Sequence, residues 1–342
     1  MSRELHQLFS DTSEQIGTSP KIPVRDGSIE LRLVDCREGG VLLQRIHTRR
    51  DGSVVVLLLD GSERAQLAEF LENDPYNEVL APQYHAIVDS VGRRPHRKMT
   101  ARAIASVADC HTELDVLTLM RTVCATRGGT YALFHWLSTS TASQVSGVTY
   151  DTHVILAACP SSWLQVYERR VVTDPVLEYA RNHVMPVRGF ESFGNSNGPW
   201  FAREAALYGL RSNVFLPANR GSDEGKVFGV LHVSSSHTSP ASDDVIWQGQ
   251  RELRGLAEEL LDWPAIRFRR AAAVRYQLSD AERTILQWIR RGGDATHAAA
   301  DLTLTQRQIY RLYKSIKIKM GRDDIRACAR MAAEAGLIDQ VD

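Results

Sequence analysis

The side chains best suited to binding an anionic ligand are grouped in one short segment of the sequence. From Arg307 to Arg322 the chain carries six basic residues and no acidic residue. Apolar residues recur among them at the spacing of an amphipathic helix: Ile309, Leu312, Ile316 and Met320. The pattern predicts a helix that buries one side and presents guanidinium and ammonium groups, which hydrogen-bond phosphates and base edges, on the other.

Capping signals fix where this helix and an earlier one begin. Thr305 and Gln308 form a capping-box pattern, in which each side chain satisfies a backbone donor at the helix start. Ser279 and Glu282 repeat the pattern ahead of a second amphipathic run. Two glycines at 292–293 then end that run, because glycine adopts positive φ easily.

A third, shorter helix is predicted from about Ala295 to Leu302. The step from Leu302 to the Thr305 cap is short enough to be the tight turn of a helix-turn-helix, a motif that lays its second helix in the major groove of DNA. A basic amphipathic helix by itself is equally compatible with a solvated face on an ordinary helical bundle.

The order of residues across 276–338 distinguishes these two interpretations. The residues that carry the pattern are Leu278, Ser279, Glu282, Leu286, Gly292, Ala299, Leu302, Thr305, Ile309, Ile316, Lys319, Gly321 and Gly336-Leu337-Ile338. At these positions the chain resembles the LuxR-type, or GerE-like, DNA-binding domain. The resemblance implies an all-α unit of four helices over 276–342 that binds double-stranded DNA at a palindromic operator as a homodimer. Its last helix, about 323–335, is often the dimer contact in the family.

The resemblance also assigns roles on the predicted DNA helix. The groove-facing positions are Tyr310, Arg311 and Lys314. The positions better placed for phosphates are Arg307, Lys317 and Lys319, and Thr305 and Gln306 complete the contact set at the helix start. Where the family usually reads Thr-Val-Lys-x-His, this chain has Gln-Ile-Tyr-Arg-Leu at 308–312, so the family's base preference does not carry over.

Charge over the whole chain is balanced, with 41 basic and 41 acidic residues. A positive potential for nucleic acid must therefore be local. It is concentrated in the predicted DNA helix and in two basic runs, 93–98 and 267–270.

Cysteine usage and hydropathy predict the compartment. The five cysteines are odd in number and widely spaced, which argues against a disulfide framework or a zinc knuckle. The first residues lack the apolar core of a signal peptide, and no apolar run approaches the ~18 residues of a membrane span. We expect a cytoplasmic protein with no membrane partner.

The N-terminal region, residues 1–95, is predicted to form a β-rich extension. Strands at Ile29–Asp35, Val41–Arg49 and Ser53–Leu59 are separated by glycine-containing turn signals and predict an antiparallel meander. A short helix at Glu63–Leu71 would follow, and the basic run Arg93–Lys98 would be a linker. The extension is either a dimerisation or packing element or a second contact for nucleic acid or protein.

Residues 100–262 alternate between helical and extended patterns. Strands are predicted at 131–138, 153–158, 213–217 and 227–233, and helices at 112–123, 161–167, 175–183, 200–208 and 244–261. Helices on both faces of a central sheet, an α/β/α sandwich, are the compact arrangement of such elements. Residues 263–275 would be a linker, and the whole chain would belong to the α+β class.

This middle region resembles the autoinducer-binding domain of LuxR-family quorum-sensing regulators. Trp163 and Tyr167 reproduce the family's Trp-x-x-x-Tyr, and residues 174–176 reproduce its Asp-Pro-Val. In acyl-homoserine-lactone receptors the indole and phenol contact ligand carbonyls, and the carboxylate takes the amide N–H. By resemblance these roles fall to Trp163, Tyr167 and Asp174. The same residues are also compatible with core aromatics and a simple helix start.

Departures from the family pattern alter the predicted ligand site. Eleven positions separate Trp163 from Asp174, about two fewer than usual in the family. The family's second tryptophan is replaced around Phe190, which can serve as an apolar wall, while Arg188 introduces a cation. Asn213 stands at a family glycine. These changes favour a signal other than a standard acyl-homoserine lactone.

Catalytic signatures are weak. Residues 194–198 match G-x-S-x-G, but they lie in a polar stretch without the preceding apolar strand that a nucleophile elbow requires. The histidines show no paired metal-ligand spacing, and acidic residues of a phosphorylated receiver domain are absent near the N-terminus. We expect no enzyme activity, no metal and no cofactor beyond a small signal molecule.

Two hypotheses for the control of DNA binding follow. In the first, a small amphiphilic molecule, such as an acyl-homoserine lactone, shifts the population of the DNA-competent dimer. In the second, the regulator is independent of a ligand and is controlled by a protein partner or by residues 1–95.

Overall fold

The chain folds into two compact units that divide between Asp262 and Trp263. The computed structural model describes residues 14–36, 40–60, 68–69, 72, 74, 76–92, 104–140, 150–193, 197–222, 225–237 and 240–339. The first unit combines helices with a sheet, so the mixed α/β character predicted from the sequence is confirmed. The basic run Arg93–Lys98, and all but Ala68 and Glu69 of the predicted helix Glu63–Leu71, lie outside the described residues.

One sheet of ten strands organises the first unit. Its strands are β1 (Glu14–Thr18), β2 (Ile22–Val24), β3 (Gly27–Cys36), β4 (Gly40–Arg49), β5 (Val54–Asp60), β6 (Tyr131–Ser140), β7 (Thr152–Ala158), β8 (Val187–Arg188), β9 (Ser212–Ser222) and β10 (Gly225–Ser235). The order across the sheet is β1-β3-β4-β5-β7-β6-β10-β9-β8, and β2 pairs with β3.

The predicted antiparallel meander is confirmed as β3, β4 and β5. Strand β5 then pairs in parallel with β7, from Val54 opposite Thr152 to Leu59 opposite Ala157. The sheet therefore runs without interruption from the predicted extension into the predicted sensor region. Residues 54–59 are apolar on both faces, as is typical of a strand in the middle of a sheet with two covered faces.

Seven α-helices are described in the first unit or begin in it: α1 (Asn77–Gly92), α2 (Glu113–Thr126), α3 (Ser161–Glu168), α4 (Pro175–Asn182), α5 (Gly198–Leu207), α6 (Pro240–Gln248) and α7 (Gln250–Tyr276). Helix α1 was not predicted, because Pro82 lies inside it and an internal proline usually indicates a break. The prediction of one helix over 244–261 was wrong. The helix is interrupted at Gly249, against which the Arg127 side chain packs, and α7 continues through 263–275.

Helices cover both faces of the sheet. Residues Leu133, Leu137 and Ile155 point to one face, where they share a core cluster with residues of α3, α4 and α5. On the opposite face the Trp136 indole donates a hydrogen bond to the Leu261 carbonyl of α7, at 3.2 Å. Side chains alternate between faces along a strand, so each strand contributes to both layers.

The second unit contains four helices after α7: α8 (Asp280–Arg290), α9 (Ala295–Asp301), α10 (Gln306–Met320) and α11 (Ile325–Glu334). Both predicted capping boxes are confirmed, at Ser279–Glu282 and Thr305–Gln308. Between α9 and α10, Thr303 adopts a positive φ of 52°, which turns the chain sharply. The predicted apolar stripe packs in the core: Ile309, Ile316 and Met320 are buried, and Leu312 packs against them.

A buried ion-pair group connects β4 with α3. Arg45, whose side chain is 1% exposed, places Nε 2.8 Å from Asp74 Oδ2 and Nη1 2.5 Å from Glu168 Oε1. Burial opposes ionisation of Glu168, but the charge and hydrogen bonds of Arg45 and His47 outweigh it and lower the pKa of Glu168 to about 2. The meander therefore holds the end of the helix that carries Trp163 and Tyr167.

Replacing Arg45 by Met should destabilise the first unit by about 3–5 kcal/mol, because two buried carboxylates lose their counter-charge. Chemical denaturation at pH 7 measures the loss. The matched variant R45M/D74N/E168M, which removes the charges together, should recover most of it. The difference in unfolding free energy between R45M and the wild type should also become smaller below about pH 4.5, because Asp74 and Glu168 of the variant become protonated there. An equal deficit at pH 3 and pH 7 would contradict this account.

Candidate functional site

The exposed side of α10 carries most of the predicted DNA contacts. Arg307, Arg311 and Lys314 are exposed, and Tyr310 is 60% exposed with its ring edge toward Tyr313. Because the opposite side of the helix is fixed in the core, these groups stand on a rigid support. Their positions, 307, 311 and 314, spread the three charges along about two turns of one side of the helix.

Two predicted contacts at the start of α10 have structural partners. The Thr305 side chain accepts a hydrogen bond from Gln308 N, and Thr305 N donates to Gln308 Oε1 at 2.8 Å. Gln306 Nε2 donates to Thr296 Oγ1 of α9 at 3.1 Å. Both residues thus fix the angle at which α10 leaves the turn, and both remain exposed at its N-terminal end.

Lys319 differs from the other predicted phosphate contacts. Its Nζ lies 2.6 Å from Glu282 Oε2 and also donates to the Gln277 carbonyl at 2.9 Å. Burial opposes ionisation of Glu282, but hydrogen bonds from Lys319, Ser279 and Ser315 lower the pKa of Glu282. The charge of Lys319 is therefore balanced by Glu282 within the second unit. Lys317, on the same helix, is half-buried.

Three of the predicted ligand contacts lie close together beneath the sheet. Trp163 and Tyr167 stand one turn apart on α3, with ring centroids 5.5 Å apart. Tyr167 Oη donates to Asp174 Oδ2 at 2.5 Å, and Asp174 Oδ1 accepts from Val176 N at 2.8 Å. Asp174 thus caps α4, as its position before Pro175 predicts, and all three side chains are buried.

Their polar atoms are unequally satisfied. The indole Nε1 of Trp163 is fully buried and has no hydrogen-bond partner among the described residues. Burial raises the pKa of Asp174 to about 6, even though the hydrogen bonds from Tyr167 and Val176 act in the opposite direction. The group therefore contains one buried donor without a partner and one carboxyl whose pKa is raised by burial, and both features are found at polar ligand contacts.

The other predicted ligand residues divide into two sets. Phe190 is buried, stacks on Phe201 at 5.7 Å and meets Phe215 edge-on. Asn213 is also buried and bonds His232 Nε2 through Oδ1 at 2.8 Å. Arg188 instead pairs with Asp244 at 2.7 Å and lies over the Trp247 ring, so its cation is directed to the surface.

Three buried histidines belong to the same region and were missed from the sequence. They are His135 on β6, His153 on β7 and His232 on β10. Desolvation lowers the pKa of His135 and of His232 to about 3, so both are neutral. A signal was available: each stands at an inward position of an apolar strand, where a hydrophobic residue is expected.

No helix among the described residues is both long and apolar enough to cross a bilayer. No cluster of histidine, cysteine, aspartate or glutamate within those residues is arranged to hold a metal ion. The G-x-S-x-G match falls mostly on residues outside the described set, and its last member, Gly198, opens α5.

No protein-family model and no curated protein sequence matches the chain. Among solved structures, SdiA in complex with octanoyl-rac-glycerol is 17% identical, with a TM-score of 0.40, covering 69% of this chain and 93% of that one. The N-acylhomoserine lactone dependent LuxR family transcription factor CepR2 from Burkholderia cenocepacia is 18% identical, with a TM-score of 0.38 and coverages of 47% and 90%. A phage VqmA–DPO complex is 16% identical, with a TM-score of 0.19 and coverages of 66% and 92%. Scores below 0.5 do not establish a common fold.

Replacing Asp174 by Asn should remove a pH-dependent loss of stability. The folded pKa of about 6 lies above the ordinary 3.8, so the contribution of Asp174 is fully present below about pH 4 and is lost as the pH rises through 6, on the order of 3 kcal/mol. Thermal unfolding is measured between pH 4 and 7. The unfolding midpoint of D174N, relative to that of the wild type, should increase as the pH rises.

Tyr167→Phe is the matched control for this measurement. It removes a hydrogen bond to the ionised carboxylate and should move the steep region of the wild-type profile to higher pH. Parallel profiles for the wild type and D174N would show that Asp174 ionises as easily in the folded protein as in the unfolded chain.

Proposed function

We propose that the chain is a LuxR-family transcription regulator that binds double-stranded DNA as a homodimer and is controlled by a small ligand in its first unit. The observation that carries the proposal is the exposed cationic side of α10, which stands opposite a buried apolar stripe and follows a tight turn. The residue pattern across 276–338 supports the same assignment. The first unit would then bind the ligand, and the second unit would bind DNA.

DNA recognition would follow from the chemistry of α10. Arg311 can form a bidentate pair with a guanine edge in the major groove, a contact worth about 1–3 kcal/mol of discrimination. Arg307 and Lys317 would bind phosphates, which position the protein without reading sequence. Lys319, already paired with Glu282, would mainly hold α10 against α8.

Two copies would read a palindromic site with half-sites about one helical turn apart. The family resemblance assigns the dimer contact to the last helix, here α11. A homodimer presents α10 twice with two-fold symmetry, and this symmetry would be repeated in the operator.

Ligand control would use the buried group of Trp163, Tyr167 and Asp174. Small-ligand sites are mostly apolar with a few placed polar groups, and this region has that composition. A ligand that prefers the DNA-competent conformation would shift the population toward it by its differential affinity. Acyl-homoserine lactones and other small amphiphiles are the first compounds to test.

A second candidate is a regulator that needs no ligand and is controlled by a protein partner or by its N-terminal strands. The hydrogen bond between Tyr167 and Asp174 favours it, because these two predicted ligand contacts already satisfy each other. The ion pair between Arg45 and Glu168 favours this candidate too, because it connects the N-terminal strands directly with α3.

DNA footprinting tests the proposal. Purified protein should protect a short, roughly palindromic sequence in promoter fragments near its own gene, and random fragments of equal length provide the control. A thermal-shift screen separates the two modes of control, because a ligand that binds the native state raises the unfolding midpoint. A protein that prefers no fragment over random DNA, with or without lactones, would exclude this function.

Two single substitutions on α10 should have different effects on DNA binding. Arg311→Ala should weaken specific binding by about 1–3 kcal/mol and relax selectivity at one base pair. Lys317→Ala should weaken specific and random DNA equally and reduce the slope of log K against log salt by about 1. Titration of both variants against operator and random duplexes at several salt concentrations measures this. Indistinguishable profiles would refute the assignment of roles.

A further inference from the structure

A groove on the surface of the second unit is separate from the sites described above. It has a volume of about 310 Å³ and lies between α8 and the residues that follow α11. Its α8 wall includes Arg283, Gln287, Trp288 and Arg291, and residues 337–339 form the other wall. None of these residues is a predicted contact for DNA or for the small ligand.

Local structure fixes both walls of the groove. Positions 283, 287 and 291 recur every four residues, so their side chains lie along one side of α8. Apolar residues on the other side of the helix pack in the core. Gly336 ends α11 with a positive φ of 67°, and the Asp339 N–H then donates to Gln287 Oε1 at 2.8 Å. This hydrogen bond holds the second wall against the first.

The middle of the groove contains a hydrogen-bond donor that the fold does not use. A glutamine side-chain amide has one acceptor oxygen and two N–H donors. The oxygen of Gln287 accepts from the backbone at Asp339, whereas its Nε2 is buried and has no hydrogen-bond partner among the described residues. Buried donors without partners are rare in folded proteins. A carbonyl oxygen of a bound molecule would satisfy this one.

A guanidinium group lies toward each end of the groove. Arg283 and Arg291 are exposed, and Arg283 Nη1 is 3.9 Å from Asp280 Oδ1, at the limit of an ion pair. The two arginines are eight positions apart on one helix, which corresponds to about 12 Å. Guanidinium groups bind carboxylates through paired N–H donors. The spacing therefore suits a molecule with two carboxylates roughly 12 Å apart.

The width of the groove selects an extended chain. Spread over about 12 Å, a volume of about 310 Å³ corresponds to a width of about 5 Å, and a helix with its side chains is roughly 10–12 Å across. An extended chain rises about 3.4 Å per residue, and its side chains alternate between two sides. The two carboxylates therefore belong to residues four positions apart. The residue midway between them points to the same side, toward Trp288 and Leu337.

Charge complementarity favours a peptide over a nucleic acid. Asp339 contributes a carboxylate to the lining of the groove. A nucleic acid strand carries a negative charge at every nucleotide, so it would bring phosphates close to this carboxylate. A peptide can carry its two charges at the ends and place neutral residues beside Asp339.

We propose that this groove binds an extended acidic peptide segment of a partner protein, with two carboxylates four positions apart and an apolar residue midway between them. Arg283 and Arg291 bind the carboxylates, and Gln287 Nε2 donates to a peptide carbonyl. The apolar residue packs on Trp288 and Leu337. The proposal is independent of the DNA binding and of the small ligand proposed above.

Nuclear magnetic resonance titration of the ¹⁵N-labelled full chain with synthetic peptides tests the proposal. The probe is the capped peptide GDTLTDG, whose threonines favour extended structure. Of two control peptides, GNTLTNG lacks the carboxylates, and GDTLDTG places them on opposite sides of an extended chain. The probe should shift the indole signal of Trp288 and the side-chain amide signal of Gln287. Both control peptides should bind about fivefold or more weakly, because each loses at least one ion pair.

Two results of this titration would overturn the proposal. One is a probe that leaves both signals in place at millimolar concentration. The other is equal binding of the probe and the two control peptides, since neither the charge nor its spacing would then matter. Both results come from the wild type and do not depend on the folding of a variant.

Charge reversal in the groove provides matched variants. R283E/R291E should bind the probe about tenfold or more weakly, because two favourable pairs become repulsive. It should bind the basic peptide GKTLTKG more tightly than the wild type does. Arg290→Glu, at an exposed position of the same helix outside the groove, is the control and should bind the probe as the wild type does. A double variant that keeps its preference for the acidic peptide contradicts the proposal.

The same variants distinguish two other occupants of the groove. If a second copy of the chain lies there, R283E/R291E lowers the dimer fraction in sedimentation and R290E does not. If DNA lies there, the double variant binds random duplex more weakly and with a smaller salt slope. Either result, with no shift caused by the probe, overturns the proposal. Absent operator protection removes only the proposed function, because the peptide titration contains no DNA.

Discussion

The parallel pairing of β5 with β7 is the constraint on which the first unit depends. It pairs residues that are 98 positions apart in sequence, such as Val54 and Thr152, and so it unites the N-terminal meander with the remaining strands in one sheet. Arg45 of β4 thereby comes to lie on the same face as α3 and reaches Glu168. Without this pairing the meander would have no connection to the residues proposed to bind a ligand.

That face of the sheet combines two kinds of buried polar chemistry. The Arg45 group is charged and well compensated, and it holds the C-terminal end of α3. The three buried histidines, His135, His153 and His232, are neutral because burial lowers the pKa of each, and the His135 ring contacts that of Tyr167 on the same helix. The charged group thus holds the end of α3, while the neutral group packs beneath it. A compensated ion pair is a suitable support, because its partners are not free to bind elsewhere.

In the second unit, the residues that fix α10 and the residues proposed to bind DNA lie on opposite sides of that helix. Its buried stripe and the ion pair between Lys319 and Glu282 fix α10 in place, and the capping box at Thr305 fixes its beginning. Arg307, Tyr310, Arg311 and Lys314 remain exposed on the other side. Because α10 is held rigidly, its exposed cations are already positioned before binding. Such an arrangement suits the proposed recognition of a regular polymer such as duplex DNA.

The sequence by itself determined the local features: helix periods, capping boxes at Ser279 and Thr305, the hairpin signals of the meander and the cap at Asp174. These depend on residues within a few positions of one another, so their spacing is sufficient to predict them. Only the tertiary structure decided that β5 pairs with β7, that Lys319 forms an ion pair with Glu282, and that His135 forms a hydrogen bond with His153. Each of these contacts joins residues far apart in the chain. Their partners are selected by packing of the whole unit, which no local pattern encodes.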